Sequence, residues 1–323
     1  MLGTTSGMEN RLVPASGIEL DAIAFTGLRG KGLVHTLTGG LRLLVAFWSC
    51  LRILRRRRAD AVLGMGGYVC FPGGMMAALL GRPLVLHEQN SVAGLANRVL
   101  ARVADRVLSG FPEVLEQAEW MGNPVRAEIA AVLPPAERMA GRSGPLRVLV
   151  VGGSLGAAVL NETVPQALLR LPAEQRPVVV HQAGERQIEA LRAAYARAQV
   201  DGELRPFIDD MAAAYADADL VICRAGALTV AELAAAGVAS LLVPFPYAVD
   251  DHQTGNARFL ADRGGAYLLP QSELTPDRLA GILSSLDRGR LLHMAENARA
   301  LAKPLAAVAV AHVCAELGGG EQA

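Results

Sequence analysis

Short, nearly continuous apolar runs alternate along this chain with longer alanine-rich stretches of helical spacing. Runs of that kind read as strands buried on both faces, and their alternation with helices reads as βαβ units feeding parallel sheets. The pattern predicts strands at Ala61-Val62-Leu63, Pro83-Leu84-Val85-Leu86, Arg106-Val107-Leu108, Arg147 to Val151, Pro177-Val178-Val179-Val180, Asp219-Leu220-Val221-Ile222 and Ala239 to Val243. It breaks once, at Leu133-Pro134-Pro135 and Gly141-Arg142-Ser143-Gly144-Pro145, which can continue neither a helix nor a central strand. That stretch reads as an interdomain linker. The expected architecture is α/β, two doubly wound Rossmann-like domains facing a cleft, with ligands at the carboxyl ends of the strands. The expected bounds are 1–140 and 141–304, with a C-terminal helix over 305–323 packing back toward the first domain.

Composition supports two cores rather than one, because 52% of 323 residues are hydrophobic. The 31 basic residues equal the 31 acidic ones, so bulk charge does not point to nucleic acid. Cys50, Cys70, Cys223 and Cys314 are far apart, without a C-x-x-C pair or a histidine at ligand spacing. Neither a disulfide framework nor a zinc site is expected, and a reducing cytosol fits. No apolar run approaches the roughly 18 residues of a membrane span, and the N-terminus lacks a signal-peptide layout. The expectation is a protein neither exported nor integral.

Candidate chemistry concentrates just after predicted strands. Gly152-Gly153-Ser154-Leu155-Gly156-Ala157 follows the Arg147 to Val151 run and opens a helix. Glycines let the backbone approach an anion, Ser154 adds a hydroxyl, and the helix N-terminus favours a diphosphate; the same turn also serves as a plain tight turn. In Arg205-Pro206-Phe207-Ile208-Asp209-Asp210-Met211 the backbone at Ile208 could meet a flat base edge, or an aspartate could simply cap the next helix. The segment from Cys223 to Glu232 offers free N–H groups near Ala227, Leu228 and Thr229, and a carboxylate one turn in that can accept from two ribose hydroxyls. The loop from Pro244 to Ala257 carries side chains suited to sugar hydroxyls.

Asp217-Ala218-Asp219 spells a D-x-D, but between a helix and a strand it reads as a solvated junction, and no metal is expected. His35, His181, His293 and His312 show no partner pattern. Between Arg29 and Arg58 lies an apolar stretch with Leu33, Leu37, Leu41, Leu44, Phe47, Trp48 and Leu51, flanked by Arg52 and the run Arg55 to Arg58. A basic amphipathic helix with aromatics reads as a membrane-surface element; a core helix with a solvated arginine end fits the same pattern.

Taken in order, five further segments complete a resemblance. They are Gly7-Met8-Glu9-Asn10-Arg11-Leu12-Val13-Pro14, Gly27-Leu28-Arg29-Gly30-Lys31-Gly32, Gly64-Met65-Gly66-Gly67-Tyr68-Val69, His87-Glu88-Gln89-Asn90 and Gly122-Asn123-Pro124-Val125-Arg126. With the four polar clusters they resemble the GT-B glycosyltransferases that move N-acetylglucosamine from UDP onto undecaprenyl-diphospho-N-acetylmuramoyl-pentapeptide. The resemblance implies an inverting reaction at the C4 hydroxyl of the muramoyl sugar, forming lipid II for peptidoglycan, without a cofactor. It implies a peripheral enzyme on the cytoplasmic face of the inner membrane, with an anionic membrane surface and cell-wall synthesis proteins as partners and no nucleic acid.

The family's donor site falls on Asn90, Arg126, Ser154, Ile208, Ala227, Leu228, Thr229, Val230, Ala231, Glu232 and Gln253. Its acceptor side falls on Gly66, Gly67, Tyr68, His87 and Glu88, and the membrane face on Leu33, Leu37, Phe47, Trp48, Arg52 and Arg55. The family's opening strand and glycine loop, with its histidine, would precede Met1, so the first domain is expected to be incomplete. The family base would lie there; within these residues the weaker candidates are His87, Glu88 and His252. On that ground a non-catalytic UDP-sugar-binding or scaffold role stands as the alternative.

Overall fold

The computed structural model describes residues 1–319 apart from Ser6, Met8, 26–32, Ser154 and Leu155, with the backbone alone over 33–38. The segment 27–32 and Ser154 therefore lie outside the described residues, as do the side chains of Leu33 and Leu37. Twelve strands occur among the described residues: β1 (Leu2–Thr4), β2 (Asp21–Ile23), β3 (Val62–Gly64), β4 (Leu84–Glu88), β5 (Arg106–Ser109), β6 (Glu119–Trp120), β7 (Arg147–Val151), β8 (Val178–Gln182), β9 (Glu203–Arg205), β10 (Leu220–Cys223), β11 (Ala239–Leu242) and β12 (Ala266–Leu268). The chain divides into two compact units, one of Met1–Gln89, Ala93–Met121 and Val308–Ala323, the other of Asn90–Val92 and Gly122–Ala307.

The division differs from the expected bounds. The proline- and glycine-rich stretch at 133–145 is part of the second unit, where Ile129, Val132 and Met139 are buried. Arginines hold it down: Arg138 donates to the carbonyls of Ala218 (2.9 Å) and Gly237, and Arg142 to that of Asp217 (2.9 Å) and to the Asp219 carboxylate (2.7 Å). Proline and glycine mark a break in regular structure, which need not be a break between cores. The C-terminal helix Ala306–Leu317 enters the first unit from Val308 on, with Val310 and Val313 buried against Val85 and Leu108.

In the second unit all six strands are parallel, in the order β12-β11-β10-β7-β8-β9. This is the doubly wound order, with its switch point between β7 and β10. Every residue of β10 and β11 is buried, as helices on both faces require. The core joins Val148, Val150, Ile222 and Leu241 to Leu160, Leu191, Leu279 and Leu291.

The first unit carries a parallel four-stranded sheet, β3-β4-β5-β6, and a parallel pair, β1-β2. Beside the pair, Ile23 and Phe25 share a core with Ala46 and Cys50 of the helix Leu33–Arg57. Val69 and Met76 pack against the same cluster.

Candidate active site

The register of β7 on β10 pairs Val151 with Cys223, so both strands end level at the switch point of the second unit. Each end turns into a helix, Ala158–Arg170 after β7 and Ala227–Ala236 after β10. Parallel sheets of this order bind ligands at such a crevice, where free N–H groups and the positive ends of two helix dipoles converge.

The turn after β7 is shaped by its glycines. Gly153 has φ +78°, and Gly156 has φ +74° with its Cα so close to the chain that a Cβ would lie 2.2 Å from the Ala183 carbonyl oxygen. A side chain at Gly156 would have to push β8's continuation away. Beneath the turn runs a buried polar chain that sequence patterns do not reveal. His181 Nδ1 lies 3.1 Å from the Tyr195 hydroxyl and Nε2 3.1 Å from Asn161 Oδ1, while Asn161 Nδ2 donates to Gln187 Oε1 at 2.8 Å. Burial pulls the His181 pKa down to about 3, so the ring is neutral, donating from Nε2 and accepting at Nδ1.

The backbone around Ile208 sits beyond β9, with Ile208 itself buried. Asp210 caps the helix Met211–Asp217, its Oδ1 accepting from Ala213 N at 2.9 Å. After β10, Gly226 is the N-cap of the Ala227–Ala236 helix, Leu228 projects into solvent and Val230 is buried in the core. Val230 therefore supports the site rather than lining it with its side chain. Glu232 lies one turn further. Its Oε2 accepts from the buried Tyr215 hydroxyl at 3.1 Å, and Arg126 Nη2 stands 3.3 Å from its Oε1. Burial and the neighbouring Glu232 charge raise the Tyr215 pKa well above its ordinary value, keeping the phenol a donor.

Asn256, one of the polar side chains between Pro244 and Ala257 expected to face sugar hydroxyls, is turned inward instead. Wholly buried, it accepts from Ser91 N at 2.8 Å and donates to the Ala225 carbonyl at 3.1 Å, with Asn90 Oδ1 3.4 Å from its Nδ2. It thus ties Asn90 and Ser91 to the β10 turn. The segment expected as a loop is helical from His252 to Ala261; at the start of that helix Gln253 Oε1 accepts from Phe245 N at 3.0 Å, and His252 Nδ1 donates to the Val249 carbonyl at 2.7 Å. Asp250 and Asp251, just before the helix His252–Ala261, both have left-handed φ values, 52° and 51°.

In the first unit Gly66 and Gly67 form a left-handed turn before the helix Cys70–Leu79, and Tyr68 is exposed on it. Gly73 and Gly74 belong to that helix and are buried. His87 and Glu88 differ from their expected placement as contact residues. Both are buried, and Glu88 Oε2 accepts from Gly94 N (3.2 Å) and Asn97 Nδ2 (2.7 Å). These two internal donors on one carboxylate oxygen brace the loop that follows β4. On the helix Leu33–Arg57, Leu41, Leu44, Val45, Trp48, Arg52 and Arg55 share one exposed face. Phe47 turns the other way, its ring 5.9 Å from that of Phe71, and does not belong to that face.

The D-x-D at Asp217 is only half the solvated junction its position suggested. Asp217 is exposed, whereas Asp219 is buried and receives Arg142 (2.7 Å), Arg147 N (3.0 Å) and Arg288 (3.1 Å). Its oxygens are taken by arginine and backbone donors. Among the described residues no cluster of three histidine, cysteine or acidic side chains could hold a metal.

Comparison with known proteins agrees with this geometry. Residues 147–310 match the glycosyltransferase family 28 C-terminal domain, and residues 1–109 match the N-terminal domain. The chain is 72% identical over 322 residues to the UDP-N-acetylglucosamine--N-acetylmuramyl-(pentapeptide) pyrophosphoryl-undecaprenol N-acetylglucosamine transferase of Azoarcus sp. strain BH72, covering 100% of this chain and 90% of the relative. The protein of the same name from Aromatoleum aromaticum is 71% identical over 321 residues, covering 99% and 90%. A crystal structure of Acinetobacter baumannii MurG, 43% identical, superposes with a TM-score of 0.83 over 98% of this chain and 90% of that one. With both domains matched and relatives this similar, the chain belongs to glycosyltransferase family 28 and has that family's two-domain α/β GT-B fold.

Proposed function

We propose that this glycosyltransferase moves N-acetylglucosamine from UDP-N-acetylglucosamine to the C4 hydroxyl of lipid-linked N-acetylmuramoyl-pentapeptide. The observation that carries the reading is the switch point of the second unit. Two strand-to-helix turns end level there, and Glu232, one turn into the second helix, is held by Tyr215. The glycine turn and the helix N-terminus at Ala227 suit the diphosphate, the backbone at Ile208 the uracil, Glu232 the ribose, and Asn90 and Gln253 the sugar. In the transfer the acceptor hydroxyl gives its proton to a base and its oxygen bonds to the anomeric carbon, while the bond to the diphosphate oxygen breaks and leaves its electron pair on UDP. The developing charge falls where Arg126 and the helix N-terminus can stabilise it, so the reading invokes no cofactor.

A lipid-linked acceptor places the reaction at a membrane surface. The exposed face of Leu41, Leu44, Val45 and Trp48, bordered by Arg52 and Arg55, suits a peripheral contact with anionic lipid. Among the described residues no helix is long and apolar enough to cross a membrane. The cytoplasmic face of the inner membrane, where UDP-sugars are available, is the proposed location. The test follows labelled sugar from UDP to a lipid-linked muramoyl acceptor. Labelled lipid product with release of UDP is expected; binding of UDP-N-acetylglucosamine with no transfer would leave only a sugar-nucleotide-binding role.

A further inference from the structure

The last residue of β8, Gln182, occupies a junction that the reading above leaves unassigned. β8 lies between β7 and β9, with Gln182 in register with Val151 on one side and Arg205 on the other. The continuation of β7 is the glycine turn and that of β9 is the Pro206 to Ile208 turn. Gln182 is 4% exposed, and its side-chain amide bonds to both continuations. Gly153 N donates to Oε1 at 3.1 Å, Nε2 donates back to the Gly153 carbonyl at 3.2 Å, and Nε2 also donates to the Pro206 carbonyl at 3.1 Å. Its own carbonyl accepts from Gly152 N at 3.0 Å.

We infer that Gln182 is a positioning residue for the donor nucleotide, holding the diphosphate turn and the base turn at a fixed spacing by clamping Gly153 and Pro206 with one amide. The inference rests on the donor-site reading above. A carboxamide is suited to the task because it offers an acceptor and two donors on one rigid plane, so it can complete the Gly153 backbone as a strand would and still reach a second carbonyl. Gly153 has a left-handed φ, +78°, and the Gln182 amide holds that backbone by both its N–H and its carbonyl. A ligand touching both turns senses their spacing, whereas one touching only the base turn does not.

The test compares UDP with uridine on the full chain by calorimetry, for the unaltered protein and for Gln182→Met and Gln182→Glu. The methionine keeps the volume and removes every bond; the glutamate keeps the acceptor for Gly153 N but sets a carboxylate against two carbonyl oxygens. In both, UDP affinity should fall about tenfold, near 1.4 kcal/mol, and at least threefold more than uridine affinity. A purely structural role would lower the melting temperature without separating the two ligands, so equal losses, or none, would overturn the inference. Should neither variant fold, hydrogen exchange on the unaltered protein decides: a protected Gly153 amide supports the clamp, and one exchanging as in a free peptide refutes it. If the unaltered protein binds neither UDP nor UDP-N-acetylglucosamine, it is the donor-site reading that has failed.

Discussion

A carboxylate that is to hold ribose hydroxyls works best if its orientation is set before the ligand arrives, and Tyr215 does this for Glu232. The phenol, on the helix Met211–Asp217, is buried and donates to Oε2, which leaves Oε1 facing the exposed Arg126 side chain. Replacing Glu232 with alanine should weaken UDP binding by about 1–3 kcal/mol, the usual worth of charge-assisted hydrogen bonds. Tyr215→Phe removes only the orienting bond and should cost about 1 kcal/mol. Calorimetry with UDP and 2′-deoxy-UDP separates these roles, because the Glu232→Ala deficit should shrink once the 2′-hydroxyl is gone. A Glu232→Ala protein that binds UDP as the parent does would take this residue out of the site. Tyr215 could not be singled out in the sequence, since a tyrosine in an alanine-rich helix reads as ordinary core until the helix is placed beside Glu232.

At the scale of elements, the strands read most closely are the central ones of the second unit's sheet. β7 is readable to the residue at Arg147–Val151, and β10 and β11 to within one, because their apolar runs are continuous. β6, β9 and β12 lie at sheet edges, span two or three residues and carry no such run, so nothing in the sequence distinguishes them from loop. The helix Leu33–Arg57 combines both readings that its sequence allows. Ala46 and Cys50 face the core, while Leu44 and Trp48 face solvent. Phe47 and Trp48 are adjacent and so point about 100° apart, which is why only one can join the exposed face. The arginine run divides as well. Arg56 and Arg57 are paired with Asp21, and Arg57 also with Glu19, whereas Arg52 and Arg55 stand on the exposed face. Binding to anionic vesicles should therefore fall with salt and lose about 1 kcal/mol for each of Arg52→Ser and Arg55→Ser. Arg56→Ser should matter less, because its charge is partly neutralised within the protein. Sedimentation with anionic and neutral vesicles measures this, and equal binding to both would contradict an electrostatic contact.

For the molecule as a whole, the informative fact is that the boundary between units falls at Met121 and Gly122, some distance before the stretch that looks like a linker. The sequence misleads there because Arg138, Arg142 and Arg288 act at long range, closing 133–145 onto the second core through Asp219 and nearby carbonyls. A buried carboxylate needs its partners, and removing one such partner typically costs about 3–5 kcal/mol. Asp219 retains Arg288 and Arg147 N when Arg142 is lost, so Arg142→Ala should fall at the lower end of that range. Two units with separate cores should unfold in two calorimetric transitions. UDP at about 100 times its dissociation constant should raise only the transition of the second unit, by about 2.7 kcal/mol of stability. Arg142→Ala should lower that same transition by several degrees, at about 2–4 °C per kcal/mol for a unit of this size, and leave the other in place. A single transition that moves as a block with UDP would show instead that the units unfold together, and a UDP response confined to the Arg142-insensitive transition would place the nucleotide in the first unit.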